Sequence, residues 1–145
     1  MRDLGNTTAY LRRGIREILC LALFFFTFLA GKYFFDLRVA EFVPSSEVVI
    51  YESIILGSSA IGYFVRPILY YRRPQAIDTI SEITGVLLVS ALLLMVMAVR
   101  FDMMILGALV ACGALGYCGS VVHANFARRF ARTPCLARAA ALSYA

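Results

Sequence analysis

The sequence predicts an all-α, polytopic membrane protein with four transmembrane helices and both ends on the cytoplasmic side. Three observations carry that expectation. The 145 residues are 61% hydrophobic and only 16% charged, whereas a soluble domain is about half apolar and about a quarter charged. The apolar residues fall in four long blocks, near the roughly 20 residues needed to cross a hydrocarbon core about 30 Å thick. The basic residues alternate between the connections of those blocks, which is the positive-inside pattern.

The first block covers about residues 18–35, ILCLALFFFTFLAGKYFF, and follows an arginine-rich start with Arg2, Arg12, Arg13 and Arg16. A secretory signal peptide shares a basic start and an apolar middle, and Leu29-Ala30-Gly31 resembles a cleavage site. The block is nevertheless longer than a signal core, and Tyr33-Phe34-Phe35 has the character of an interfacial aromatic anchor. A loop with Asp36, Glu41, Pro44 and Glu47 follows.

The second block, about residues 48–65, stops at Arg66-Pro67. Proline lacks a backbone donor and disfavours helix in the residue before it, so the helix is expected to end or kink there. Tyr70-Tyr71-Arg72-Arg73-Pro74 then has the composition of an interfacial loop. The third block, about residues 83–99, is nearly all aliphatic, with Thr79 or Ser81 as expected N-terminal caps. Arg100-Phe101-Asp102 makes a turn into the fourth, glycine- and alanine-rich block, about residues 103–126. A basic segment from Arg128 to Arg138 comes next, broken at Thr133-Pro134, and LARAAALSYA is about half long enough to cross.

Eleven of the fourteen Lys and Arg residues fall in the N-terminal segment, the second connection (Arg66, Arg72, Arg73) and the segment after the fourth block. The opposite connections hold only Arg38 and Arg100. This sidedness accounts for the net charge of +5, and no basic surface interleaved with regularly spaced aromatics points to nucleic acid. The expected location is the bacterial cytoplasmic membrane, with membrane lipids as partners.

Charged residues within the blocks are the first functional candidates, because each costs about 2.5 kcal/mol or more at depth. Lys32 and Glu52 lie at similar outer depth on successive helices, so an intramembrane ion pair is a candidate, set against separate snorkelling to the interface. Small residues recur every four positions in the fourth block, at Ala108, Cys112, Gly116 and Ser120, and Ser58 and Gly62 repeat the theme in the second. Such stripes let helices approach closely, so they are assigned to helix packing ahead of a transport path. Arg128, Arg129 and Arg132, with Phe126 and Phe130 interleaved, form a candidate site for anionic lipid headgroups.

His123 and the acids Asp78 and Glu82 are read as interfacial or solvated groups. Cys20, Cys112, Cys118 and Cys135 lack CxxC spacing and are read as reduced packing residues. No phosphate loop, nucleophile elbow or zinc signature occurs, so no catalytic residue, metal or cofactor is expected and the chain is not read as an enzyme.

The layout resembles the first four helices of a major facilitator-type membrane domain. More narrowly, GYFVRPILYYRRP and FARRFARTPCLARAAALSYA resemble segments of actinobacterial LuxR-type regulators, in which a facilitator-like membrane domain precedes a helix-turn-helix. Gly62 fits the first glycine of the facilitator loop pattern, but Arg66 stands at the expected acid and Leu69 at the second glycine, which counts against active transport. The resemblance implies that residues 1–145 are a single membrane domain, a fragment of a larger one. It would couple the sensing of an unknown small molecule to transcription. The alternative is a complete small membrane protein that self-assembles through its fourth helix. In either case neighbours are expected, as downstream helices or as other copies of the chain.

Overall fold

The computed structural model describes residues 14–131 and 136–144. These form helices α1 (Ile15–Val39), α2 (Ser45–Arg72), α3 (Ile77–Met97), α4 (Phe101–Phe130) and α5 (Leu136–Tyr144), with a 3-10 turn at Pro74–Ala76. No strand occurs among the described residues. Among the described residues the chain is all-helical, and four helices are long and apolar enough to cross a membrane. Arg2, Arg12, Arg13, Arg132, Thr133, Pro134 and Cys135 lie outside the described residues.

The long helices start before their apolar blocks, and all but α3 also run past the block's end. α1 continues past Phe35 to Val39, which places Asp36 in the helix rather than in a loop. There Asp36 accepts a hydrogen bond from Lys32 one turn earlier, at 2.9 Å. α2 begins directly after Pro44, with Glu47 in its first turn, where the helix dipole favours an acid.

Two further sequence expectations are corrected. α2 does not end at Arg66 but runs through Pro67 to Arg72. Proline removes one donor, yet in apolar surroundings every further unmade backbone bond costs several kcal/mol, so the helix resumes rather than unwinding. Thr79 and Ser81 do not cap α3, which starts earlier, at Ile77. Ser81 Oγ instead donates to the Ile77 carbonyl at 2.7 Å.

The described residues group into two compact units, one of Phe28–Ser120 and the other of the described parts of Met1–Thr27 and Val121–Ala145. In the larger unit, Phe35, Val39, Ile55, Met95, Ala98, Met104 and Ala108 form the core. Cross-helix contacts fix the helix directions. Ser58 meets Leu109, Gly62 meets Gly113 and Arg66 meets Ser120, so α2 and α4 run parallel. Ser81 meets Tyr117 while Met95 meets Gly107, so α3 runs against α4. In the smaller unit, Ile18, Leu21, Phe126, Phe130 and Ala139 pack together, and the Phe25 and Tyr144 rings lie 4.5 Å apart. The short α5 is anchored there through buried Ala139 and Ser143.

Candidate functional site: a charged junction, a tight seam and an apolar cleft

Lys32 on α1 bridges two acids. Its Nζ lies 2.9 Å from Glu52 Oε1 on α2 and 2.9 Å from Asp36 Oδ2 on its own helix. All three side chains are between 25% and 35% exposed. The matched depth of Lys32 and Glu52 was legible in the sequence. Asp36 was missed as a partner because the apolar run ends before it, although its i+4 spacing from Lys32 was the available signal. Near the same end of α1, an Arg38 guanidinium nitrogen donates to the Ala98 carbonyl at 2.6 Å. It thereby satisfies the C-terminal end of α3 and favours its dipole. Arg38 also pairs with Glu41, and Arg100 pairs with Asp102 at 2.7 Å.

The small residues singled out in the sequence meet across the α2–α4 seam. A Cβ added at Gly62 would overlap the carbonyl of Gly113, and one at Gly116 would overlap the carbonyl of Ser59. Neither glycine has a positive φ, so glycine is required here by the closeness of the backbones and not by their conformation. Ser58 Oγ donates across the seam to the Leu109 carbonyl at 2.8 Å. Ala108 and Ser120 are buried, and Cys112 is partly buried against the core. The fourth-helix stripe therefore packs against other helices of the same chain. Close backbone approach supplies the van der Waals contact that the missing hydrophobic drive cannot.

Arg66 was read from the sequence as a loop charge. It lies instead within α2, 8% exposed, with one terminal nitrogen 3.4 Å from the Ser120 carbonyl. Its Nε is buried without a hydrogen-bond partner. The misleading signal was Pro67, which suggested a helix end. The i+4 step from Gly62 to Arg66 would have placed the arginine on the seam.

Between α2 and α3, with α4 as its floor, lies an open cleft of about 710 Å³. Ile54, Ile61 and Val65 line one wall and Ile80 and Leu87 the other. Its hydroxyl groups are already engaged. Ser58 donates to Leu109, and Thr84 Oγ1 donates to the Ile80 carbonyl at 2.7 Å. Tyr117 Oη lies 3.2 Å from Ser81 Oγ, whose own proton goes to Ile77, so the tyrosine is the donor of that pair. A cleft of this size is ordinary for small-molecule sites, which are mostly apolar. The sequence reading missed it because it arises where α2 and α3 separate, and no local pattern records that separation.

The smaller unit holds a more polar cleft of about 550 Å³, lined by Arg16, Glu17, Asn125, Arg128 and Arg129 among others. Two of the three proposed headgroup arginines thus share a cleft with Arg16; the third, Arg132, lies outside the described residues. His123 packs edge-on against Phe24 and Phe25, with ring centroids 5.6 and 5.8 Å away. Among the described residues no group of three or more His, Cys, Asp or Glu is arranged to hold a metal, and Cys20, Cys112 and Cys118 are free thiols.

Comparison with protein-family models, with curated proteins and with solved structures finds no match to this chain.

Proposed function

We propose that the chain is a non-catalytic, multi-pass module of the bacterial cytoplasmic membrane, with both ends cytoplasmic, that receives an apolar ligand in the α2–α3 cleft. This is the sensing half of the sensor reading; coupling to a transcription regulator rests on the segment resemblance alone. The carrying observation is the cleft itself, open and of ligand size, with every hydroxyl proton on its walls engaged within the protein. A polar solute would lose its hydration there and gain no donor in return, which disfavours it by several kcal/mol. An apolar one loses nothing. The alternation of helix direction within Phe28–Ser120 suits four successive crossings, and the basic residues at the α2–α3 turn support its cytoplasmic placement.

The test is a saturable thermal shift of the purified protein in mild detergent with the apolar dye N-phenyl-1-naphthylamine. Ligand that binds only the folded state raises the unfolding midpoint. Gly57 lines the cleft, and a Cβ there meets no atom within 4 Å, so Gly57→Phe enters the cleft with no clash at its Cβ. The shift should be present in the parent and absent in Gly57→Phe. A parent without a saturable shift, or a variant that keeps it, sinks the reading.

A further inference from the structure

We propose that the natural occupant of the α2–α3 cleft is one acyl chain of an anionic phospholipid, whose headgroup is held at the α2–α3 turn by Arg72 and Arg73. This deepens the apolar-ligand reading and rests on it. Three features select a lipid over other apolar molecules.

The first is length. The α2 wall runs from Ile54 to Val65, eleven steps along the helix or about 16 Å at about 1.5 Å per residue. Half of a hydrocarbon core is about 15 Å. The groove therefore matches one leaflet in length, and its wall residues Ile54, Ile61 and Leu87 are exposed, so a chain can enter from the bilayer.

The second is the charge at one end. The α2 face that lines the cleft steps through Ser58, Ile61 and Val65. Seven residues beyond Val65, two helical turns on the same face, stands Arg72, the last residue of α2. Arg73 follows it, and both are exposed. Aromatic Tyr70 and Tyr71 lie beside them and are also exposed, as interfacial residues are. The nearby acids point elsewhere. On α3 the cleft is lined by Ile80, Thr84 and Leu87, while Asp78 and Glu82 sit two residues from these positions, about 200° around the helix. The mouth of the cleft is therefore positive, which complements a phosphodiester carrying a net negative charge and not a zwitterionic one.

The third is the cleft's chemistry. Its walls offer no unspent hydroxyl proton, so nothing inside competes for a polar tail, and the only polar recognition lies at the arginine end.

The experiment uses the full chain, reconstituted in nanodiscs of equal phosphatidylglycerol and phosphatidylcholine with identical acyl chains. It is then released into mild detergent for native mass spectrometry. One retained phosphatidylglycerol is expected, preferred over phosphatidylcholine. The preference should fall about fivefold for each of Arg72→Gln and Arg73→Gln. Gly57→Phe should abolish retention of either lipid, and Leu87→Phe, which fills the cleft from α3, gives the same reading should the first variant misfold. Equal retention of both lipids, or a preference unmoved by the arginine variants, overturns the headgroup assignment. Loss of lipid retention in the parent while the dye still binds overturns the lipid but not the apolar-ligand reading. A dimer that Gly57→Phe converts to monomer would assign the cleft to a second copy and also overturn the proposal.

Discussion

Lys32 Nζ stands 2.9 Å from Glu52 Oε1, a single cation on α1 that is shared between an acid on the next helix and Asp36 one turn along its own. The arrangement is unequal. Removing either acid leaves the lysine one partner, whereas removing the lysine leaves two carboxylates facing each other without a cation.

Lys32→Met should therefore cost more stability than Glu52→Gln or Asp36→Asn. Partial exposure of all three groups keeps the losses to about 2 kcal/mol for the lysine and about 1 kcal/mol for each acid. Lys32→Met combined with Glu52→Met should recover only part of the loss, because Asp36 remains; adding Asp36→Asn should recover most of it. Unfolding by increasing denaturing detergent measures each term. Strictly additive losses would mean that the three groups act independently.

Gly62→Leu and Gly116→Leu should each lower stability by about 3 kcal/mol, because the new side chain overlaps backbone that cannot rotate away. The effect lies within one chain, so it should appear in a dilute, monomeric sample. Gly85→Leu is the control, since a Cβ there meets nothing within 4 Å, and it should change stability by no more than about 0.5 kcal/mol. Unfolding curves at several protein concentrations check both points. A midpoint for Gly116→Leu that moves with concentration would return the stripe to an interface between copies.

Arg66→Met should leave stability unchanged or raise it. The arginine is buried, makes one long bond to a backbone carbonyl and leaves Nε without a partner, and replacing such a charge with an apolar side chain of similar length is often neutral or stabilising. Ser120→Ala should not disturb the contact, because the acceptor is the Ser120 backbone oxygen. A clear loss of thermal stability in Arg66→Met, equal to that of Arg66→Ala, would show that the guanidinium contributes more than this geometry implies.

The four candidate spans and their approximate positions were legible because apolar run length is a direct requirement of crossing hydrocarbon. The small residues of the seam were legible too, since Ser58 and Gly62 on α2 and Gly116 and Ser120 on α4 each recur at i,i+4 spacing, and so was Lys32–Glu52 as a candidate pair. The path of α2 through Pro67 was not. Local sequence records the lost donor, whereas the cost of unwinding belongs to the surroundings. Arg66 was misassigned for the same reason, and with it went the only buried arginine among the described residues. The cleft depends on where α2 and α3 part, which is a property of packing on α4 and leaves no periodic trace.

Moving Arg66 from the turn into the α2–α4 seam changes the charge count on which sidedness rests, yet the alternation survives. The α2–α3 turn keeps Arg72 and Arg73, which are exposed. The two opposite connections keep Arg38 and Arg100, each paired with an acid, Glu41 and Asp102. The proposed orientation, with the α2–α3 turn inside, still rests on the distribution of basic residues between the connections. In a background with the four native cysteines replaced, cysteine at Ser45 should react with an impermeant maleimide on intact cells. Cysteine at Gln75, in the 3-10 turn, should react only after the membrane is permeabilised. Labelling of Gln75→Cys on intact cells, with protection of Ser45→Cys, would invert the topology and move the arginine mouth of the cleft to the outer leaflet.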